Sequence, residues 1–153
     1  MLPADFINAI ASAAQESMRV TGVPASVSIA QAALESAWGS SQLATQGFNL
    51  FGIKADSSWK GATVTMRTAE VIGGQRVMVN APFRKYANWL GSINDHGDFL
   101  GANKRYAKAF KTTDGEAFAK AIADAGYATD PEYAQKLIST MRARNLAQYD
   151  KVA

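Results

Sequence analysis

The chain contains no cysteine. That absence excludes disulfide staples, a thiolate nucleophile and cysteine-ligated zinc, and it leaves the redox state of the compartment open. Histidine is nearly absent as well: His96 stands alone. Asp95 adjoins it on a helix and points elsewhere, so neither a metal site nor a cofactor is expected, and His96 reads as a hydrogen-bonded, part-buried side chain. No apolar run is long enough to cross a bilayer, which argues against stable membrane insertion. The start of the chain lacks a basic segment leading into an apolar one, its first basic side chain being Arg19. No secretory signal is therefore expected, and a protein acting outside the cytoplasm would need another route of release. Blocks of charge are missing too. Sixteen Lys and Arg against 13 Asp and Glu leave a net charge of +3, and no basic stripe interleaved with aromatics points to nucleic acid. The slight positive surplus suits a polyanion such as a bacterial wall. Neither a Gly-x-Ser-x-Gly elbow nor a Gly-rich phosphate loop opens a helix, so those two chemistries are excluded.

What remains is an ordinary globular composition, 48% hydrophobic and 19% charged over 153 residues, enough for one domain with a real core. Phe6, Ile7, Ile10, Ala14 and Met18 share one side of a helix from about Pro3 to Val20, which Gly22 ends. Pro24 suits the first position of a second helix and Gly39 the residue past its end. Within it Val27, Ala30, Leu34, Ala37 and Trp38 mark a core face, while Ser28, Gln31 and Glu35 make a polar stripe. Glu35 falls in the last turn, where the helix dipole already presents negative charge. Beside Trp38 and small alanines, its charged form is disfavoured, and an acid kept protonated near neutral pH can donate a proton.

Gly47 to Lys54 follows as an apolar loop framed by Gly47 and Gly52. The period then changes to two. Thr63–Ile72 and Gln75–Phe83 flank Gly73-Gly74, a hairpin signal. A two-residue turn sets Glu70 opposite Val77, Thr68 opposite Val79, Met66 opposite Ala81 and Val64 opposite Phe83. Glu70 is the lone carboxylate on that apolar face, and its plainest role is to guard the sheet edge. Helix resumes at Asn88, a cap, with Trp89, Leu90, Ile93, His96 and Leu100 on one side. A short helix lies near Tyr106 to Phe110. Thr113-Asp114-Gly115-Glu116 has capping-box spacing and starts a helix that stops at Gly126. Asp130-Pro131 begins the last one, carrying Tyr133, Leu137, Ile138 and Met141. The tail beyond about Gln148 is expected to fray. The fold class is α+β, mainly α, with one hairpin inserted after the second helix.

A helix-end carboxylate, a second one on a hairpin and scattered aromatics suit carbohydrate chemistry. Sugars stack apolar faces on rings, and glycoside cleavage uses one carboxylic acid with a second negative group. The motif series points to a family. Ala32-Ala33-Leu34-Glu35-Ser36-Ala37-Trp38-Gly39 and Asn49-Leu50-Phe51-Gly52-Ile53-Lys54 resemble family 73 of the glycoside hydrolases, the peptidoglycan endo-β-N-acetylglucosaminidases. Trp59-Lys60-Gly61, Thr68-Ala69-Glu70, Phe83-Arg84-Lys85-Tyr86 and Ala125-Gly126-Tyr127-Ala128-Thr129-Asp130-Pro131 extend the likeness. The resemblance implies a lysozyme-like α-lobe (about 1–58 and 87–147) and a small β-lobe (about 59–86) with a substrate groove between them. It implies Glu35 as general acid, Glu70 as base or water-positioning carboxylate, and Tyr127 as the group steadying the transition state or intermediate. Asn49, Phe51, Lys54, Trp59, Tyr86 and Tyr133 become candidate sugar contacts. The implied partner is the peptidoglycan glycan strand, met as a monomer in the periplasm or wall. The implied setting is that of a phage or prophage endolysin released through holin-type lesions. A muramidase or lytic transglycosylase on the same scaffold, or a non-catalytic wall-binding module, are the competing readings.

Overall fold

The computed structural model describes residues 1–151. Helix α1 (Pro3–Thr21) starts on Pro3, whose fixed φ is pre-set for a first turn, and ends at Gly22, whose φ of 85° only glycine adopts freely. Its face of Phe6, Ile7, Ile10 and Ala14 is buried, as the spacing requires. That face packs against α2 (Ala25–Ser36), where 10 of 12 residues are buried. A helix built almost wholly of small and apolar side chains can be surrounded, and this one is the axis of the molecule. Pro24 stands one residue outside it with ψ at 136°, and its carbonyl accepts from the amides of Val27 and Ser28.

Two expectations for α2 change. Ser28 and Gln31 are buried, not part of a wet stripe, whereas Leu34 is 41% exposed. Neighbours enclose the helix on all sides until its last turn, so side-chain polarity does not mark the open face. The helix also stops earlier than Gly39. Ala37, Trp38 and Gly39 have φ of 52°, 58° and 81°, and the Ser36 hydroxyl accepts the Gly39 amide at 2.8 Å. Gly39 is obligatory, because a Cβ there would lie 2.7 Å from the Phe6 ring.

A one-turn helix α3 (Gln42–Gln46), which the sequence pattern did not suggest, is capped by Ser41. The loop after it leads to β1 (Thr63–Ile72) and β2 (Gln75–Arg84), a two-stranded antiparallel sheet in the expected register, Glu70 opposite Val77 and Val64 opposite Phe83. The hairpin is fixed at its base, where Ala81 and Phe83 are buried, and free at its tip, where Val71 is 76% exposed. Helix α4 (Trp89–Ala102) is capped by Asn88 as expected. Two 3₁₀ turns, Lys104–Tyr106 and Ala109–Lys111, replace the anticipated short helix. Asp114, not Thr113, caps α5 (Gly115–Asp124), accepting from Ala117 at 2.7 Å. Helix α6 (Tyr133–Ala143) begins two residues after Pro131, because Asp130 first closes a turn onto the Glu132 amide.

The final turn corrects another expectation. Leu146 is fully buried, and the Asp150 carboxylate caps α2, accepting from the Ser26 amide at 2.7 Å and hydroxyl at 2.5 Å. The positive end of the α2 dipole holds that carboxylate, and Gln15 donates to the Tyr149 carbonyl, so residues 149 and 150 are docked and not frayed. Val152 and Ala153 lie outside the described residues.

Candidate active site

The C-terminal end of α2 opens onto a cleft of about 380 Å³, whose walls come from α2, the Phe51–Lys54 loop, α4, Tyr106 and Tyr127. Glu35 stands in it one residue before the helix ends. Its carboxyl keeps a face to solvent, yet the surrounding protein displaces most of its hydration. Among the described residues no cation pairs with it. Desolvation disfavours the carboxylate and pushes the pKa up to about 8, while the Tyr127 hydroxyl pulls the other way. A side chain that is still a protonated acid at pH 7 can give a proton to a leaving oxygen.

Tyr127 reaches Glu35 because of the way α5 stops. Gly126, at φ 88°, turns the chain so that its own amide bonds Ala123 and the Tyr127 amide bonds Ile122 at 3.1 Å. This glycine-ended closure aims the next side chain inward. The Tyr127 hydroxyl lies 3.5 Å from Glu35 Oε2 and 2.9 Å from His96 Nε2. Burial first, and the Glu35 charge second, push the phenol well above its ordinary range, so it stays a donor. His96 is fully buried, which drives its pKa down to about 3 and keeps the ring neutral. Tyr133 stacks on Tyr127 with ring centroids 5.4 Å apart, and the buried Gln31 amide donates to the Tyr133 hydroxyl at 2.8 Å.

The candidate sugar contacts divide. Phe51 and Lys54 line the cleft. Asn49 is buried and fully engaged in shaping the loop: its amide donates to the Ile53 and Arg84 carbonyls, both at 2.9 Å, and its oxygen accepts the Phe51 and Ile53 amides. Tyr133 sits behind Tyr127, 5% exposed, so it supports the wall and does not form it. Tyr86 and Trp59 do not line the cleft but belong to a cluster at the hairpin base that meets it through Arg84. There the Tyr86 hydroxyl donates to Asp95 at 2.5 Å, Arg84 pairs with Asp95 at 2.9 Å, and Arg84 lies over the Trp59 ring at 4.9 Å. Glu70 is half-buried on β1 and forms an ion pair with Lys54, which joins it to the cleft through one intermediary.

Sequence pattern missed His96 as the partner of Tyr127 and Gln31 as the partner of Tyr133, and Arg84, Arg105 and Tyr106 as cleft walls. His96 shares a face with Ile93 and Leu100, so its burial was readable. Its contact with a tyrosine 31 residues away was not. Among the described residues, no group of three or more His, Cys, Asp or Glu side chains is placed to hold a metal ion.

A family model described as glucosaminidase (mannosyl-glycoprotein endo-β-N-acetylglucosaminidase) matches residues 11–146. The peptidoglycan hydrolase FlgJ of Escherichia coli K12 is 39% identical over 148 residues, covering 92% of this chain and 47% of the relative. The exo-glucosaminidase LytG of Bacillus subtilis is 39% identical over 152 residues, covering 96% and 53%. The chain thus spans about half the length of these curated relatives. Among solved structures, the catalytic domain of the autolysin Auto from Listeria monocytogenes superposes with a TM-score of 0.88 at 34% identity, covering 97% of this chain and 87% of that one. The glycoside hydrolase domain of Salmonella typhimurium FlgJ, truncated at its C-terminus, gives 0.81 at 37% identity, covering 94% and 98%.

Proposed function

The chain belongs to the glucosaminidase family of glycoside hydrolases, with that family's lysozyme-like fold, and from that premise we propose that it cleaves the β-1,4 bond after N-acetylglucosamine within peptidoglycan strands. One observation carries the reading: an unpaired glutamic acid, Glu35, whose pKa is raised to about 8 by desolvation at the wall of a cleft. The strand lies along the cleft that Phe51 and Lys54 line. Glu35 protonates the glycosidic oxygen as the bond to the anomeric carbon breaks. Positive charge grows on that carbon, and a second group must meet it.

Two groups compete for that task. Glu70 can activate a water if the hairpin bends toward the cleft, since the strand pair is fixed only at its base. A gap of roughly 6.5–9.5 Å between the carboxyls leaves room for that water and gives inversion. Alternatively the 2-acetamido group of the substrate attacks, and Tyr127 steadies the intermediate. Stereochemistry separates them, inversion favouring Glu70 and retention favouring the acetamido route. The same activity would serve a phage endolysin. Inducible expression tests that role, with lysis expected only when a membrane-permeabilising protein is co-expressed.

The decisive measurement is the mass of fragments from purified sacculi after borohydride reduction. Reduced N-acetylglucosamine at the new ends is expected, and Glu35→Gln should release almost none. Reduced N-acetylmuramic acid would make the protein a muramidase, and an anhydro end a lytic transglycosylase. Binding to sacculi without any release would leave only a wall-binding module.

A further inference from the structure

His96 is the only histidine of the chain, and proton donation by Glu35 assigns it no task. Its ring lies flat on Phe51, with centroids 3.9 Å apart and planes within 10° of parallel. Nε2 meets the Tyr127 hydroxyl at 2.9 Å, whereas Nδ1 is buried and has no hydrogen-bond partner among the described residues. The same hydroxyl is 3.5 Å from Glu35 Oε2, at the long limit of a hydrogen bond.

We propose that His96 is a positioning residue, which donates its Nε2–H to the Tyr127 oxygen and thereby holds the tyrosine proton aimed at Glu35. A neutral imidazole carries one N–H and one bare nitrogen. With the proton on Nδ1, a buried N–H would lack an acceptor, and Nε2 would capture the phenolic proton and turn it away from the cleft. Buried N–H groups are the polar atoms least often left unpaired. With the proton on Nε2, only a lone pair is left bare, and the phenolic proton turns to the remaining acceptor, Glu35. Phe51 on one side of His96 and Tyr133 on the far side of Tyr127 fix both rings, so the direction of the two bonds is built into the packing.

The inference rests on Glu35 as proton donor and adds to it. When Glu35 gives its proton to the glycosidic oxygen, the C–O bond breaks and a carboxylate remains. The Tyr127 hydroxyl then donates to that new anion without reorienting. His96 neither gains nor loses a proton. Its neutrality matters, because a positive imidazolium at this distance would lower the Glu35 pKa and remove the acid.

Selective ¹⁵N-histidine labelling of the full, untagged chain yields a single imidazole, which makes the test direct. A protonated Nε2 with a bare Nδ1 is expected at neutral pH, and a protonated Nδ1 overturns the proposal. Kinetics on sacculi supply the second arm. His96→Phe keeps the stack but not the bond, and should lower kcat about tenfold, the equivalent of one hydrogen bond to a charged group, with KM nearly unchanged. His96→Gln should recover part of the loss. The double variant His96→Phe with Tyr127→Phe should be no slower than Tyr127→Phe alone, since one residue acts through the other. Additive losses, or wild-type kcat in His96→Phe, overturn the proposal. Should His96→Phe fail to fold, Gln and Asn replace it in the comparison, because Gln reaches the Nε2 position and Asn does not. An active Glu35→Gln run in parallel would sink the proton-donor reading, while the labelling result still decides the orientation of His96.

Discussion

Two glutamates of similar standing in the sequence, one at a helix end and one on a hairpin, meet opposite surroundings in the fold. Glu35 lies beside the last turn of α2, Tyr127 and the cleft walls, and among the described residues no cation pairs with it. Its proton is therefore held to about pH 8. Glu70 rides on a two-stranded ribbon anchored only at its base, and Lys54 pairs with it. Desolvation with no ion pair to offset it disfavours the charged form of Glu35, even though part of the residue stays open to the cleft.

The comparison can be broken in several ways. Replacing Glu35 with Gln should cost about a thousandfold in kcat on sacculi, within the range of general-acid catalysis, with an unchanged circular dichroism spectrum. Replacing Glu70 with Gln should cost roughly tenfold or more if it activates the water, and a smaller loss removes that role. Activity should fall as pH rises through about 8, as Glu35 loses its proton. Because the Tyr127 hydroxyl lowers the Glu35 pKa, Tyr127→Phe should move that alkaline limb of kcat/KM upward, on top of any loss in rate.

The raised pKa has a stability counterpart. The folded state keeps the Glu35 proton above the unfolded value of 4.5, so it binds more protons there than the unfolded chain does. Stability contributed by the protonated form is then whole below pH 4.5 and lost progressively up to about 8. Glu35→Gln abolishes that loss. Its melting temperature should exceed wild type by roughly a few degrees near pH 9 and match it near pH 4, a modest effect because the carboxyl keeps a solvent face. The smallest change belongs to the hairpin tip. Val71→Thr and Ile72→Thr should each stay within about 0.5 kcal/mol in chemical denaturation.

Much of this was readable before any coordinates. Gly73-Gly74 between period-two runs set the register pair by pair, and Asn88 marked its helix start, because both signals are local. The disfavoured charge of Glu35 was readable from its place in the last turn of an apolar helix. Burial of Gln31 and exposure of Leu34 were not, since enclosure depends on which elements surround α2 and not on its own pattern. Asn49 and Tyr133 looked like ligand contacts because polar and aromatic residues serve sugars and scaffolds alike. His96 needed Tyr127, and a contact across 31 residues leaves no periodic trace. The docking of Asp150 on Ser26 joins positions 124 residues apart and was equally invisible.

The enclosure of α2 also sets a timescale. A helix enclosed up to its last turn, capped at one end by Asp150 and followed at the other by Gly39 against Phe6, leaves its inner turns little room to open separately. Hydrogen exchange there should proceed through global unfolding, whereas an isolated two-stranded ribbon opens on its own. The amides of the enclosed turns of α2 should thus rank among the slowest to exchange, and those of the hairpin tip among the fastest.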